Sequence, residues 1–309
     1  AIILFAFPAI AQVRKGIVKP SDYQYSQGED SIRLLSWNVE HFVDKYDNPY
    51  IQSDRESLPD SNKVKERCRL LAEALRAIDA DVVVLQEFES QPFLQQIEAE
   101  YLSDMGYRFF ASSPAPTWYM NVVIMSRFPL GVVHGYGSVT TPVEGSLNKD
   151  SLPETQNHIN TRMLSVEVFV NEKYSFILTG LHLKAGRGER NEAMRSGQIN
   201  FLNAQFRRYR KERSRTNQVI LGDLNCTPDS KEFALITDDG HRFYNIWADG
   251  TLTHPADQPA RQLDYILPDR KMYKDYIPGS AQVIQLYDPE KMRRISDHLP
   301  VIAEFRGKD

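Results

Sequence analysis

Five times in this chain an apolar run ends abruptly in acidic, amide or imidazole side chains. LLSWNVE ends in Asn38 and Glu40, VVVLQE in Glu87, and ILTGLHLK in His182 and Lys184. VILGDLN supplies Asp223 and Asn225, while the pair QLDYIL and SDHLPV supplies Asp264, Asp297 and His298. A charged group set flush against a buried strand is costly unless it is paired or coordinates a metal. Taken singly, a strand-end Asp reads as a turn or helix cap, and His182 as a satisfied core residue. Five together point to one shared site, because α/β folds gather their sites at one edge of a sheet.

The residue types narrow the chemistry. Glu87, Asp297, Glu40 and the Asn38 amide are hard oxygen donors, suited to Mg²⁺ or Mn²⁺, with Ca²⁺ a further candidate, and unsuited to zinc. A hard cation held by one or two carboxylates usually works on phosphate oxygens. His182 and His298 have acidic neighbours in the sequence, and a His held by a carboxylate serves as general base or proton donor. Asp223 and Asn225 stand two apart, so in extended backbone both point to one face. There they would hold an attacking water and a developing oxyanion. Other mechanisms lack their signatures: the chain has no G-x-S-x-G elbow, no Walker loop and no G-x-G-x-x-G after a strand. Gly186-Arg187-Gly188 reads equally as an anion cradle or a plain loop-to-helix turn.

These side chains need strands to hold them. Continuous apolar runs predict strands over 32–38, 81–86, 121–126, 163–170, 174–183, 219–221, 263–267 and 301–305. Val64, Cys68, Leu71, Leu75 and Ile78 alternate at spacings of four and three, which predicts a helix over 63–78 with Cys68 as a core thiol. A second helix is expected over 189–210. The basic run 207–215 falls at its C-terminal end, where cations complement the helix dipole; that reading is preferred to nucleic-acid binding. Residues 134–160 are rich in Gly, Ser, Thr and Pro without periodicity, and read as a long loop.

The 309 residues are 41% hydrophobic and 25% charged, a globular balance that excludes a disordered chain. Two cysteines exclude a disulfide scaffold and a cysteine-rich zinc protein. A net charge of -4 excludes a surface that is basic throughout, though not a local basic groove. Residues 1–10 are apolar but fall short of the roughly 20 that span a bilayer. Ala9-Ile10-Ala11 completes an A-x-A pattern, read as a truncated signal peptide over 1–11, with a buried strand as the alternative. The signal-peptide reading implies a secreted or periplasmic protein. No composition break follows, so 12–30 is expected as a lead-in and 31–309 as a single α/β domain.

The order WNVE, LQE, HLK, GDLN, LDYIL and SDHLP resembles the endonuclease/exonuclease/phosphatase superfamily, of deoxyribonuclease I-like fold, over about residues 32–305. The resemblance implies a four-layered α/β sandwich, two packed mixed β-sheets flanked by helices, and Mg²⁺- or Mn²⁺-dependent hydrolysis of a phosphoester. It makes Glu87 the main metal ligand, Asn38 a metal or phosphate ligand, and Asp297 the completing carboxylate. Glu40 would serve the metal, though many members carry Asp there. His298 would contact phosphate or activate water, with Asp264 orienting it. Asp223 and Asn225 would position or deprotonate the water, and either Asp223 or His298 could take its proton. His182 matches the deoxyribonuclease I-like branch, whereas exonuclease III-like members carry Tyr. Arg162 is placed like a phosphate-contacting Arg, and Lys184 would add a further donor to the phosphate.

Departures bear on substrate. The tandem Trp of the exonuclease III branch is missing; the region ending in LDYIL (243–267) carries only Trp247, which argues against a DNA-repair enzyme. The candidate for a sphingomyelinase-like membrane hairpin, 115–123 with Trp118 and Tyr119, leads straight into a strand. HLKAG looks like the matching stretch of secreted bacterial nucleases of this superfamily. The expectation is a secreted nuclease or phosphodiesterase that attacks with water in line, monomeric, with nucleic acid as substrate and no stable protein partner. A lipid or small-molecule phosphoesterase is the second reading. A non-catalytic binding protein is the third, weakened by intact Glu87, Asp223, Asn225, Asp297 and His298.

Overall fold

Strands that are apolar on both faces need cover on both sides. The computed structural model, which describes residues 31–46, 60–113, 119–136, 139–156, 162–212, 216–238 and 243–307, supplies that cover with two stacked sheets and flanking helices. In chain order the first half contains β1 (Ser31–Phe42), α1 (Ser61–Ile78), β2 (Val82–Phe88), α2 (Gln91–Ile97), β3 (Phe109–Ser112), β4 (Asn121–Ser126) and β5 (Leu130–Gly135). A hairpin follows, β6 (Thr141–Leu147) and β7 (Pro153–Gln156), then β8 (Met163–Phe169), β9 (Ser175–His182) and α3 (Glu189–Glu212). The rest is β10 (Asn217–Asp223), α4 (Lys231–Thr237), β11 (Asp264–Pro268), β12 (Gln282–Val283), α5 (Pro289–Ile295) and β13 (Val301–Arg306).

The first sheet runs β12-β13-β1-β2-β4-β3 and the second β11-β10-β9-β8-β5. Both are mixed: β1 is parallel to β2 and β9 to β10, while β13 and β11 run antiparallel to their neighbours β1 and β10. Alternation assigns the faces. Leu34, Val82 and Val84 point between the sheets, against Val166, Leu178 and Leu221. Leu35, Trp37, Val83 and Leu85 point outward, against Leu71 and Leu75 of α1, Leu94 of α2 and Met292 of α5. Ile199 and Phe206 of α3 and Phe233 of α4 cover the other sheet, which completes the four expected layers. At Gly180 a Cβ would lie 2.9 Å from both Val84 and Val122, so the sheets approach more closely there than any side chain permits. Asp60 caps α1 by accepting from the Asn62 amide at 2.8 Å. Among the described residues no helix is long and apolar enough to cross a membrane.

The long loop expected over 134–160 is in part ordered secondary structure. β6 and β7 pair as a separate hairpin laid against α3. Pro142 and Gly145 hid β6 from sequence patterning, since both are poor strand formers and only one face of the hairpin is buried. Gly197 makes the seat: a Cβ there would lie 1.9 Å from the Pro142 carbonyl oxygen. Residues 1–30, the source of the signal-peptide reading, and 157–161 fall outside the described residues. Gly197→Ala should therefore push the hairpin off the helix and lower stability by about 1–3 kcal/mol. A urea midpoint equal to wild type would show that the hairpin is not held there.

Candidate active site

The register of the second sheet sets three site residues in a row, His182 beside Asp223 and Asp223 beside Asp264. In the first sheet Asn38 pairs with Gln86, which puts Glu87 next to it, and Asp297 and His298 lie just ahead of β13 on the far side of β1. The two rows meet across the gap between the sheets. Asn38 Nδ2 donates to Glu87 Oε1 at 3.2 Å and to Asp223 Oδ2 at 3.0 Å. His182 Nε2 lies 3.6 Å from Glu87 and 3.7 Å from Asp223. His298 Nδ1 lies 2.8 Å from Asp264 Oδ2. Four of the five sequence runs line one cleft of about 680 Å³, through Glu87, His182, Asp223, Asn225, Asp297 and His298, and Asn38 of the fifth run bonds to two of these from behind.

Local backbone fixes these side chains. Asn225 adopts a left-handed conformation (φ 51°), which Asn tolerates better than most residues. Its amide N–H then donates to Asp223 Oδ1 at 2.7 Å and its side chain to Asp223 Oδ2 at 3.2 Å. Asp223 and Asn225 thus meet through a turn, not by sharing the face of an extended strand. His298 is pinned through its backbone: its carbonyl accepts from Trp37 Nε1 at 2.8 Å and its N–H donates to Ser296 Oγ at 3.0 Å. Ser296 Oγ in turn donates to the Asn38 carbonyl at 2.6 Å.

Burial and charge then tune the groups. Burial alone would lower His298, but Asp264, Asp223 and Asp297 outweigh it and raise the imidazole to about 10. Asp223 is pushed up to about 7 by burial and by Asp264, against the pull of His298 and its amide donors. His182 is driven well below the ordinary value by burial and by the cations Arg162 and His298. Burial works to raise Asp297, yet His254, His298 and Arg293 hold it below the usual range. Burial also pushes the Cys68 and Cys226 thiols up to about 12, so neither is a reactive nucleophile.

Two expected ligands have protein partners. The Glu40 carboxylate is gripped by both Nη atoms of Arg293, one at 3.1 Å, which gives its charge a partner outside the cleft lining. The Asn38 amide oxygen accepts from the Glu40 N–H at 3.0 Å, and the amide nitrogen donates to the Glu87 and Asp223 carboxylates and braces them. Lys184 turns its ammonium to the Ala185 carbonyl at 2.9 Å. Arg162 is buried; burial lowers its guanidinium, while Glu87, Tyr119 and Asp223 pull it back up, which sets it beside the site carboxylates.

Sequence patterning missed three contributors because none ends a strand. His254 comes from a loop and reaches Asp297. Arg195 of α3 pairs with Glu232 at 2.7 Å and donates to the Lys184 and Gly186 carbonyls, anchoring the cleft wall. Arg67 of α1 donates to the carbonyls of Val39, Glu40 and His41 and to that of Ile295, the last at 2.7 Å. It thereby ties the left-handed end of β1 (Glu40 φ 44°, His41 φ 45°) to the end of α5.

A hard divalent cation fits this donor set. Glu87 and Asp297 offer carboxylate oxygens to one cleft, and Asp264 Oδ1 is a buried oxygen without a hydrogen-bond partner among the described residues. His254, Asp297 and His298 form one compact group, and Asp223, Asp264 and His298 another, each with ligand atoms within 4.8 Å of one another. A sandwich of two mixed sheets with carboxylates and imidazoles at their common edge is the architecture of a phosphoester hydrolase of deoxyribonuclease I-like fold. The chain belongs to the Endonuclease/Exonuclease/phosphatase family, whose model matches residues 35–298. That family is generally dependent on divalent metal. A search of curated protein sequences gives no match.

Solved structures share the fold at low identity. The human Nocturnin catalytic domain with bound sulfate anion has a TM-score of 0.57 and 18% identity, covering 94% of this chain and 100% of that one. A humanized D. rerio TDP2 gives 0.59 and 18%, covering 90% and 100%. A beta toxin from Staphylococcus aureus gives 0.57 and 14%, covering 88% and 99%.

The electrostatics predict a pH signature in the metal-free protein. His298 lies above its ordinary 6.5 when folded, so its contribution is complete below pH 6.5 and is lost as pH rises toward about 10. Asp223, raised from 3.8 to about 7, erodes stability in the same direction as pH rises between those two values. Thermal midpoints should fall from pH 6.5 to 10, and Asp264→Asn should flatten that slope. An equal slope in the variant would mean that Asp264 does not hold the His298 proton.

Proposed function

We propose that this chain is a divalent-metal-dependent phosphodiesterase that cleaves nucleic acid by in-line attack of water. The observation that supports it most is the cross-sheet cluster, in which an Asp264-held imidazole and Asp223 open onto the same cleft as Glu87 and Asp297. Glu87 and Asp297 would hold Mg²⁺ or Mn²⁺, which when bound supplies charge to polarise a phosphoryl oxygen.

This chain's own groups divide the remaining work. Asp223, raised to about 7, is poised to take a proton from water at neutral pH, with Asn225 and Asn38 fixing its orientation. His298, at about 10, is already protonated at neutral pH, so its role is to donate from Nε2 to a non-bridging oxygen as charge develops there. Asp264 holds the ring by Nδ1 for that purpose. His182, kept neutral by burial, and the buried cation Arg162 complete the polar wall.

Nucleic acid is preferred to lipid on the rim. Arg187 and Arg261 line the cleft, as does Arg195, which Glu232 neutralises. Tyr119, from the segment read as a candidate membrane hairpin, is buried, with its hydroxyl 2.7 Å from His41 Nδ1; Trp118 lies outside the described residues. One observation favours the lipid reading. Leu147 and Leu152, at the turn of the β6–β7 hairpin, are 64% and 60% exposed. Export forms part of the proposal on the residue 1–11 pattern alone, and a single domain over 31–309 on the unbroken composition.

The test is an activity panel with Mg²⁺, Mn²⁺ or Ca²⁺ on plasmid DNA, RNA, bis-p-nitrophenyl phosphate, p-nitrophenyl phosphate and sphingomyelin. Cleavage of DNA or RNA and of the diester supports the proposal. Sphingomyelin turnover alone supports the lipid reading, and turnover of nothing supports the binding protein. Glu87→Gln should cut turnover by more than about 100-fold at an unchanged thermal midpoint. Full activity of that variant in excess Mg²⁺ would remove Glu87 from the metal site.

A further inference from the structure

His254, Asp297 and His298 lie close enough together to suggest a second cation site. The hydrogen-bond chemistry argues otherwise. Arg261 Nη2 stands 3.1 Å from His254 Nδ1. A guanidinium only donates, so Nδ1 must be an accepting lone pair and the neutral ring carries its proton on Nε2. That Nε2 lies 3.4 Å from Asp297 Oδ2, a long contact but one directed at the carboxylate. To ligate through Nε2 the ring would have to move its proton to Nδ1, against the N–H of Arg261. Metal-binding histidines instead present their second N–H to an acceptor.

The backbone reinforces this arrangement. The His254 and Arg261 backbones exchange hydrogen bonds in both directions, each at 3.0 Å, which closes the loop and brings Arg261 to the ring. The same loop is fastened on both sides of Asp297-His298: Ala256 N–H donates to the Asp297 carbonyl at 2.7 Å, and Leu299 N–H to the Thr253 carbonyl at 2.8 Å. The His254 ring also packs on that of His298, with centroids 4.6 Å apart. Asp297 is more exposed than Glu87, Asp223 and Asp264, its side chain 27% exposed against 15%, 1% and 0%. It therefore has more rotamer freedom than they have to lose on binding a cation.

We propose that His254 is a positioning residue and not a ligand: locked by Arg261 in its Nε2–H tautomer, it holds Oδ2 of Asp297 and so leaves Oδ1 to the cation. The proposal rests on the reading of Asp297 as a metal ligand. It also assigns Arg261 a second task beside its place on the cleft wall, that of setting the tautomer.

Two measurements on the full chain test it. Nitrogen-15 NMR of the metal-free protein should show His254 protonated on Nε2 and bare on Nδ1; the reverse tautomer would overturn the proposal. Calorimetric titration with Mn²⁺ should show binding weakened about 10–100-fold in His254→Ala. In His254→Gln, whose amide N–H replaces the lost donor, it should recover to within about threefold of wild type. Wild-type affinity in the Ala variant, or equal loss in both variants, would refute positioning, the second outcome marking His254 as a ligand. Asp297→Asn serves as the control. If it binds Mn²⁺ as wild type does, the metal assignment itself has failed and the positioning role falls with it, whatever the NMR shows.

Discussion

The His298–Asp264 contact is the constraint on which the site depends. Asp264 belongs to the second sheet and His298 to the approach to the first, and backbone hydrogen bonds do not cross between stacked sheets. A carboxylate with no exposed surface survives there only because an imidazolium 2.8 Å away compensates it. Removing either partner would leave the other buried and unpaired, which costs more than the pair contributes. The same imidazole lies 3.7 Å from Asp223 and 3.9 Å from Asp297. One proton on one ring therefore lets three acids share a small volume.

Around that centre, rigidity comes from donors aimed at backbone carbonyls. Arg67 spends its guanidinium on the ends of β1 and α5, stacked over the Phe42 ring, with a centroid distance of 4.7 Å. Burial lowers its basicity, but carbonyl dipoles from two segments converge on it. Arg195 does the same for the loop after β9. Both are charges enclosed by the fold whose function is geometric: they hold strand ends that turn through left-handed residues and would otherwise fray.

Much of this was legible in the sequence, for a physical reason. A strand buried on both faces is written as a continuous apolar run, and a polar residue that ends it needs a compensating partner. That rule found Glu87, His182, Asp223, Asp264, Asp297 and His298, together with the principal strands. It failed where the determinant is not periodic. His254 sits in a loop, α2, α4 and α5 are single short stretches of seven residues each, and β6 is broken by Pro142 and Gly145. It also could not say which way an amide or carboxylate would turn. Glu40 and Asn38 are at the edge where they were expected, but Arg293, and the Glu40 N–H on the Asn38 amide, settle their orientations.

The register of the strands has a consequence for how the chain comes to life. His182, Asp223 and Asp264 align on neighbouring strands while the growing chain still lacks the segment that brings His298. Until that segment is in place, Asp223 and Asp264 stand side by side without the ring that compensates them. The arrival of β13 against β1 delivers the neutralising ring and completes the first sheet in the same event. Closing of the long-range topology and completion of the cleft therefore depend on the same strand.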